Sequence, residues 1–171
     1  MDSMTETFKL AIKHGDFTLH SGEQTNWIFD TLTILDDLNL NYGYLASKFP
    51  IYLEKGKLIC FGIEFGGAII AQRLFNTPGI IRKNGDVYIP KFYKKIYHSG
   101  TIIPALNDKV MILDDVVTTE SSMRWAEDIL KKKDIEVDYR GCILDRRSID
   151  NRKEYPIYSL VTWEQIMDSR L

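Results

Sequence analysis

The sequence has little of what marks a specialised environment. It holds two cysteines and three histidines in 171 residues. Cys60 and Cys142 each sit inside an apolar run, Leu58-Ile-Cys-Phe and Gly141-Cys-Ile-Leu. Thiols placed so read as buried strand residues in a reducing compartment, not as a disulfide or a metal pair. No apolar run approaches the ~20 residues that a membrane span needs. The opening Met1-Asp-Ser-Met-Thr-Glu-Thr has no basic region followed by an apolar core, so no signal peptide is expected, and the cytoplasm is the expected compartment. An excess of one charge is missing too. With 22 basic and 24 acidic residues the formal net charge is -2, which provides no global basic field for nucleic acid. Repeats, low-complexity tracts and linkers are absent. A single domain over residues 1–171 is expected, long enough to bury a sizeable core.

Strands alternate with helices along the chain. Thr5 to His14 reads as a first helix ended by Gly15. Asp16-Phe-Thr-Leu-His and Trp27-Ile-Phe-Asp-Thr read as a hairpin joined by the polar segment Ser21 to Asn26. Leu40 to Leu53 has helical spacing that Pro50 should end or kink. Leu58-Ile-Cys-Phe is a buried strand, Gly62-Ile-Glu-Phe-Gly-Gly a glycine-rich turn, and Ala68 to Phe75 a helix. Val87-Tyr-Ile is a short strand in a basic and aromatic stretch. Lys109 to Leu113 is a core strand. In the helix after it, Met123, Ala126, Ile129 and Leu130 form one face, and Lys131-Lys-Lys sits at its favourable C-terminal end. Val137 to Leu144 and Ile157 to Leu160 are further strands, and Thr162 to Met167 is a last helix. The pattern predicts an α/β fold, a Rossmann-like, mostly parallel sheet flanked by helices with a small N-terminal hairpin as a hood. Ligands bind such sheets at the carboxyl ends of the strands. Gly62–Gly67, Asp114–Ser122 and Asp145–Arg147 all fall at those ends.

The stretch Val110 to Ser122 is the most informative. A buried strand runs into two adjacent carboxylates, then into Thr118, Thr119, Ser121 and Ser122, and then into a helix. Carboxylates can meet ribose hydroxyls or a metal, while hydroxyls and helix-start amides can meet a phosphate. Glu120 puts a negative charge in that turn. The bland alternatives are a helix cap for Asp114-Asp115 and a surface ion pair for Arg146-Arg147. Lys91 to Lys95, interleaved with Phe92, Tyr93 and Tyr97, fits a mobile loop, a strand with one solvated face, or a stacking surface for nucleic acid.

Leu113-Asp-Asp-Val-Val-Thr-Thr resembles the phosphoribosyl-pyrophosphate (PRPP) motif of type I phosphoribosyltransferases. Phe17-Thr-Leu-His-Ser-Gly with Trp27-Ile-Phe-Asp, Ile81-Arg-Lys, Ile143-Leu-Asp-Arg and Tyr158-Ser-Leu-Val-Thr-Trp-Glu-Gln-Ile are similar, in order, to segments of orotate phosphoribosyltransferases. The resemblance implies transfer of ribose 5-phosphate from PRPP to a pyrimidine base, orotate, with release of pyrophosphate. It implies Mg²⁺ as the cofactor, held by Asp114 and Asp115, which would also meet the ribose hydroxyls. Thr118, Thr119, Glu120, Ser121 and Ser122 would surround the 5-phosphate. Arg82 and Lys83 would meet pyrophosphate, Arg146 the orotate carboxylate, and His20 and Phe29 would contact the substrate. A basic loop with Lys91, Lys94, Lys95 and His98 would close over the site. A homodimer is implied by the family alone.

Three positions and the length of one segment depart from the family. Glu120 replaces a glycine, Gly66 and His20 replace lysines, and the segment between Arg82 and Asp114 is longer. Repulsion between Glu120 and a phosphate at ~4 Å costs about 1 kcal/mol per charge pair in water and several at an effective dielectric near 20. Two consequences are expected. The chain could be a catalytically impaired or regulatory PRPP- or nucleotide-binding protein, and Glu120→Gly could tighten PRPP binding.

Overall fold

The computed structural model describes residues 3–18, 22, 24–35, 42–50, 57–75, 78–88 and 108–168. Helix α1 (Ser3–Leu10) leads into a two-stranded antiparallel hairpin, β1 (Ile12–Thr18) and β2 (Gln24–Phe29). A 3-10 turn (Thr31–Ile34) and α2 (Tyr42–Lys48) follow. The main unit comprises β3 (Leu58–Ile63), α3 (Gly66–Leu74), β4 (Gly79–Ile81), β5 (Val87–Tyr88), β6 (Lys109–Val117), α4 (Ser121–Lys131), β7 (Tyr139–Asp145), α5 (Ile149–Glu154), β8 (Tyr158–Thr162) and α6 (Trp163–Asp168). Its sheet has the order β5-β4-β3-β6-β7-β8 and is parallel except for β5.

Alternation along the central strands sorts their side chains to two faces. On β6, Met111 and Leu113 join the cluster that holds Phe8, Leu45, Ile70 and Ile166. Val110 and Ile112 join the opposite cluster, with Phe61, Met123, Ala126 and Leu130. Both faces are therefore covered, which is why these strands read as continuous apolar runs. Cys60 and Cys142 are buried in different clusters, and both remain free thiols.

Several boundaries differ from the sequence reading. Helix α1 stops at Leu10 rather than at His14. Lys13 and His14 are drawn into pairing with Ile28 and Trp27, and the register shifts between His14 and Phe17. Gly15 thus lies in an irregularity of a strand rather than at a helix end. Helix α2 does end before Pro50. The glycine-rich turn shortens to Glu64-Phe65, whose peptide bond is cis, because Gly66 and Gly67 already belong to α3. Strand β6 continues to Val117, where Val116 and Val117 pair with Leu144 and Asp145. The carboxylates therefore stand within the strand, not beyond it. Helix α5 was not foreseen, although Ser148 caps it by accepting from the Asn151 amide at 3.4 Å.

Candidate active site

The carboxyl ends of β3, β4, β6 and β7 lie along one edge of the sheet, and Arg82, Lys83, Asp114, Asp115, Thr118 to Ser122 and Arg146 fall there. Asp114 is 9% exposed. Burial, followed by the adjacent charge of Asp115, pushes its carboxyl well above the usual carboxylate range. Its Oδ1 accepts from the Asp115 amide at 3.0 Å, and Asp115 Oδ1 accepts from the Val116 amide at 2.9 Å. Asp115 lies directly against Gly66, where an added Cβ would stand 2.1 Å from Asp115 Oδ2. At Gly67 it would meet the Leu113 carbonyl at the same 2.1 Å. The two glycines let the start of α3 press onto β6 and support the carboxylate. A lysine at position 66 would displace Asp115, so Gly66 has a packing reason of its own.

Thr118 and Thr119 form an exposed bend, and Ser121 and Ser122 begin α4, also exposed. The Thr119 hydroxyl donates to Ser121 Oγ at 3.2 Å. Glu120 is already engaged. Its Oε1 accepts from Nη1 of Arg147 at 3.1 Å and its Oε2 from Nη2 of Arg124 at 3.2 Å. Arg147 is fully buried; its guanidinium donates to the Asp145 carboxylate at 3.0 and 2.9 Å and to the Tyr155 carbonyl at 2.7 Å, and its amide donates to Asp145 Oδ1 at 3.0 Å. The negative charge that looked unbalanced in the sequence therefore ends on a buried arginine. Neither Arg147 nor Asp145 stood out as more than part of Asp145-Arg-Arg. The signal that could have found them is an arginine two residues after a strand-end aspartate, a spacing that lets the guanidinium fold back.

Opposite the turn, the Glu64 amide donates to the Ile81 carbonyl at 2.9 Å, and the Lys83 amide donates to Glu64 Oε2 at 3.0 Å. Arg82 and Lys83 are exposed, and the Lys83 ammonium lies 5.1 Å from the ring centre of Phe65. A cleft of about 410 Å³ opens between these elements, lined by Ile63, Glu64, Lys83, Ser121, Ser122 and Trp125. Sequence reasoning missed Glu64 and Trp125 here. Along the same edge, the exposed Arg146 lies over Trp27, 4.3 Å from its ring centre. Phe29 is half-buried and packs against the core. His20, Lys95 and His98, with the basic loop around them, lie outside the described residues.

Asp114 and Asp115 suit a hard cation. Mg²⁺ takes one or two protein carboxylates and completes its shell with substrate oxygens and water. Two adjacent carboxyls, one of them destabilised as an anion by burial and by its neighbour, fit such a group. Among the described residues no cluster of three or more metal-ligating side chains is present.

No protein-family model matches the chain. Its fold is similar to that of an orotate phosphoribosyltransferase from Aeropyrum pernix, with TM-score 0.61, 21% identity and 98% of each chain covered. It is also similar to an adenine phosphoribosyltransferase from Thermoanaerobacter pseudethanolicus, with TM-score 0.59, 20% identity, and 92% of this chain and 99% of that one covered. The mostly parallel sheet with flanking helices is thus a type I phosphoribosyltransferase fold. An orotate phosphoribosyltransferase of Thermoplasma volcanium is 30% identical over 142 residues, which cover 80% of this chain and 78% of its own. The chain belongs to the orotate phosphoribosyltransferase family.

Proposed function

We propose that this protein transfers ribose 5-phosphate from PRPP to orotate and releases pyrophosphate. The observation that carries the reading is the run from Asp114 to Ser122. It places two carboxylates within the last residues of β6 and a hydroxyl-bearing turn at the start of α4, where Ser121 and Ser122 face Lys83 across a cleft. In the reaction a bond forms between C1 of the ribose and a ring nitrogen of the base, while the bond from C1 to pyrophosphate breaks. Positive charge develops on the sugar and negative charge on the leaving group. Asp114 and Asp115 hold the ribose hydroxyls beside the developing cation. Thr118 to Ser122 receive the 5-phosphate through hydroxyls and helix-start amides. Arg82 and Lys83 receive the pyrophosphate, and Arg146 takes the orotate carboxylate through its planar fork. His20 and Phe29 are assigned to substrate binding, and Lys95 and His98 to catalysis. Mg²⁺ held by Asp114 and Asp115 would neutralise charge on the leaving pyrophosphate.

The pairing of Glu120 with Arg147 supports turnover rather than impaired binding, since the anion it adds is already balanced. The same reading carries a single-domain homodimer in the cytoplasm. Incubation with PRPP, Mg²⁺ and orotate, then with other bases, tests it through pyrophosphate release. Turnover is expected with orotate. Calorimetric binding of PRPP with no turnover of any base would favour a regulatory binder on this fold.

A further inference from the structure

Arg146 follows directly on β7, and its amide donates to the Val117 carbonyl at 2.8 Å. That bond anchors its backbone to the end of β6, next to the phosphate turn. The long side chain is exposed, and two indoles constrain it. Its guanidinium carbon lies 4.3 Å from the ring centre of Trp27 and 5.4 Å from that of Trp163. The indoles stack on each other, with centroids 4.5 Å apart and planes 14° from parallel. Both are half-buried and pack against the cluster containing Leu144, Leu160 and Ile166. Trp27 comes from β2 of the hairpin. Trp163 opens α6, immediately after Thr162, which stands opposite Asp145 in the sheet. Hairpin, strand end and last helix therefore converge on one guanidinium.

We infer, on the basis of the proposed activity, that Trp27 and Trp163 are positioning residues that set selectivity for a base bearing a carboxylate, acting through Arg146. A guanidinium stacks through its face and recognises a carboxylate through its N–H edge. The indoles narrow its orientations without competing for the carboxylate. Order already present in the free enzyme need not be imposed when the base binds. The role demands a flat ring. Leucine is apolar but smaller, and it offers neither a quadrupole nor a flat face. The stack also ties the hairpin to the large sheet, so the hood and the base-reading side chain are set together.

Steady-state kinetics on the intact enzyme, with orotate and PRPP varied separately, tests this in the wild type, Trp163→Leu, Trp163→Phe and Trp27→Leu. Cation–π attraction of the usual size corresponds to roughly 2- to 30-fold in affinity. The leucine variants should therefore raise KM for orotate about tenfold while changing KM for PRPP by less than about twofold, and Trp163→Phe should recover most of the loss. An unshifted orotate KM, an equal rise in both KM values, or a phenylalanine variant no better than leucine overturns the inference while leaving the proposed activity intact. A wild type that turns over no base removes the activity, and the inference with it. If Trp163→Leu fails to fold, Trp163→Phe and Trp27→Phe carry the same comparison, with an orotate-specific KM rise of about two- to threefold expected and its absence overturning.

Discussion

The turn after β6 and the edge at Arg146 both face small anions in the proposed reaction, yet they are braced by opposite means. At the turn, Glu120 is held between Arg124 and the buried Arg147, and Arg147 is held in turn by Asp145. At the edge, Arg146 rests on two stacked indoles. A buried ion pair is directional and closed. Removing one member strands the other in a medium where charge is costly. Stacking is broader and tolerates exposure. The difference separates two neighbouring arginines that look equivalent in Asp145-Arg-Arg, one buried in ion pairs and the other exposed against stacked indoles.

The largest effect should come from breaking the charged brace. Arg147→Met leaves the Asp145 carboxylate with the residue 147 amide at 3.0 Å and the more distant Arg152 guanidinium at 3.5 Å, and should destabilise the fold by about 3–5 kcal/mol in urea unfolding. An unchanged midpoint would mean the brace contributes nothing. Next, Gly66→Ala pushes a methyl group into Asp115 at 2.1 Å. Because displacement of a reacting group by about 1 Å can cost 10²-fold, kcat/KM should fall on the order of a hundredfold, with Arg147 and its partners untouched. Full activity would show that Asp115 has room to move. Glu120→Gly comes third. With Arg147 3.1 Å away, removing the carboxylate should lose about 1–3 kcal/mol of stability, and PRPP affinity should not rise. Tighter PRPP binding in calorimetry would restore the repulsion expected from the sequence.

The smallest effect concerns the link between the two regions. Arg152 donates to the Asp145 carbonyl at 3.2 Å and to Glu164 Oε2 at 2.7 Å, one residue from Trp163. Partial burial raises the Glu164 carboxyl, but the hydrogen bond and charge of Arg152 outweigh it and hold the group below its ordinary range. The pair therefore adds stability above the ordinary carboxylate range and loses it as pH falls through the lowered folded value. Water screens it, so Glu164→Gln should cost about 0.5 kcal/mol or less near neutrality and nothing in acid. A difference between the two proteins that persists in acid, seen in thermal melts, would rule out this origin.

Much of the frame was legible because its signals are local. Leu58-Ile-Cys-Phe, Val110-Met-Ile-Leu and Gly141-Cys-Ile-Leu are buried strands, and Met123, Ala126 and Leu130 face the core as their spacing requires. Boundaries were missed where partners decide. Thr5 to His14 was read as one helix because its apolar spacing says so, but pairing with Ile28 and Trp27 turns Ile12 onward into a strand. β6 outlasts its apolar run because β7 continues to bond it through Asp145. Gly66 looked like a missing lysine, and its reason was the carboxylate lying against it.

The sequence by itself determined the order of strands and helices and the location of the carboxylates and hydroxyls at the end of β6. Those features depend on periodicity and on residues adjacent in the chain. Only the tertiary structure decided what Glu120 and Arg146 do. Glu120 meets an arginine 27 residues away, and Arg146 meets indoles from the hairpin and the last helix. Charge balance and side-chain order depend on distance in space, and packing both faces of one sheet is what brings these partners within reach.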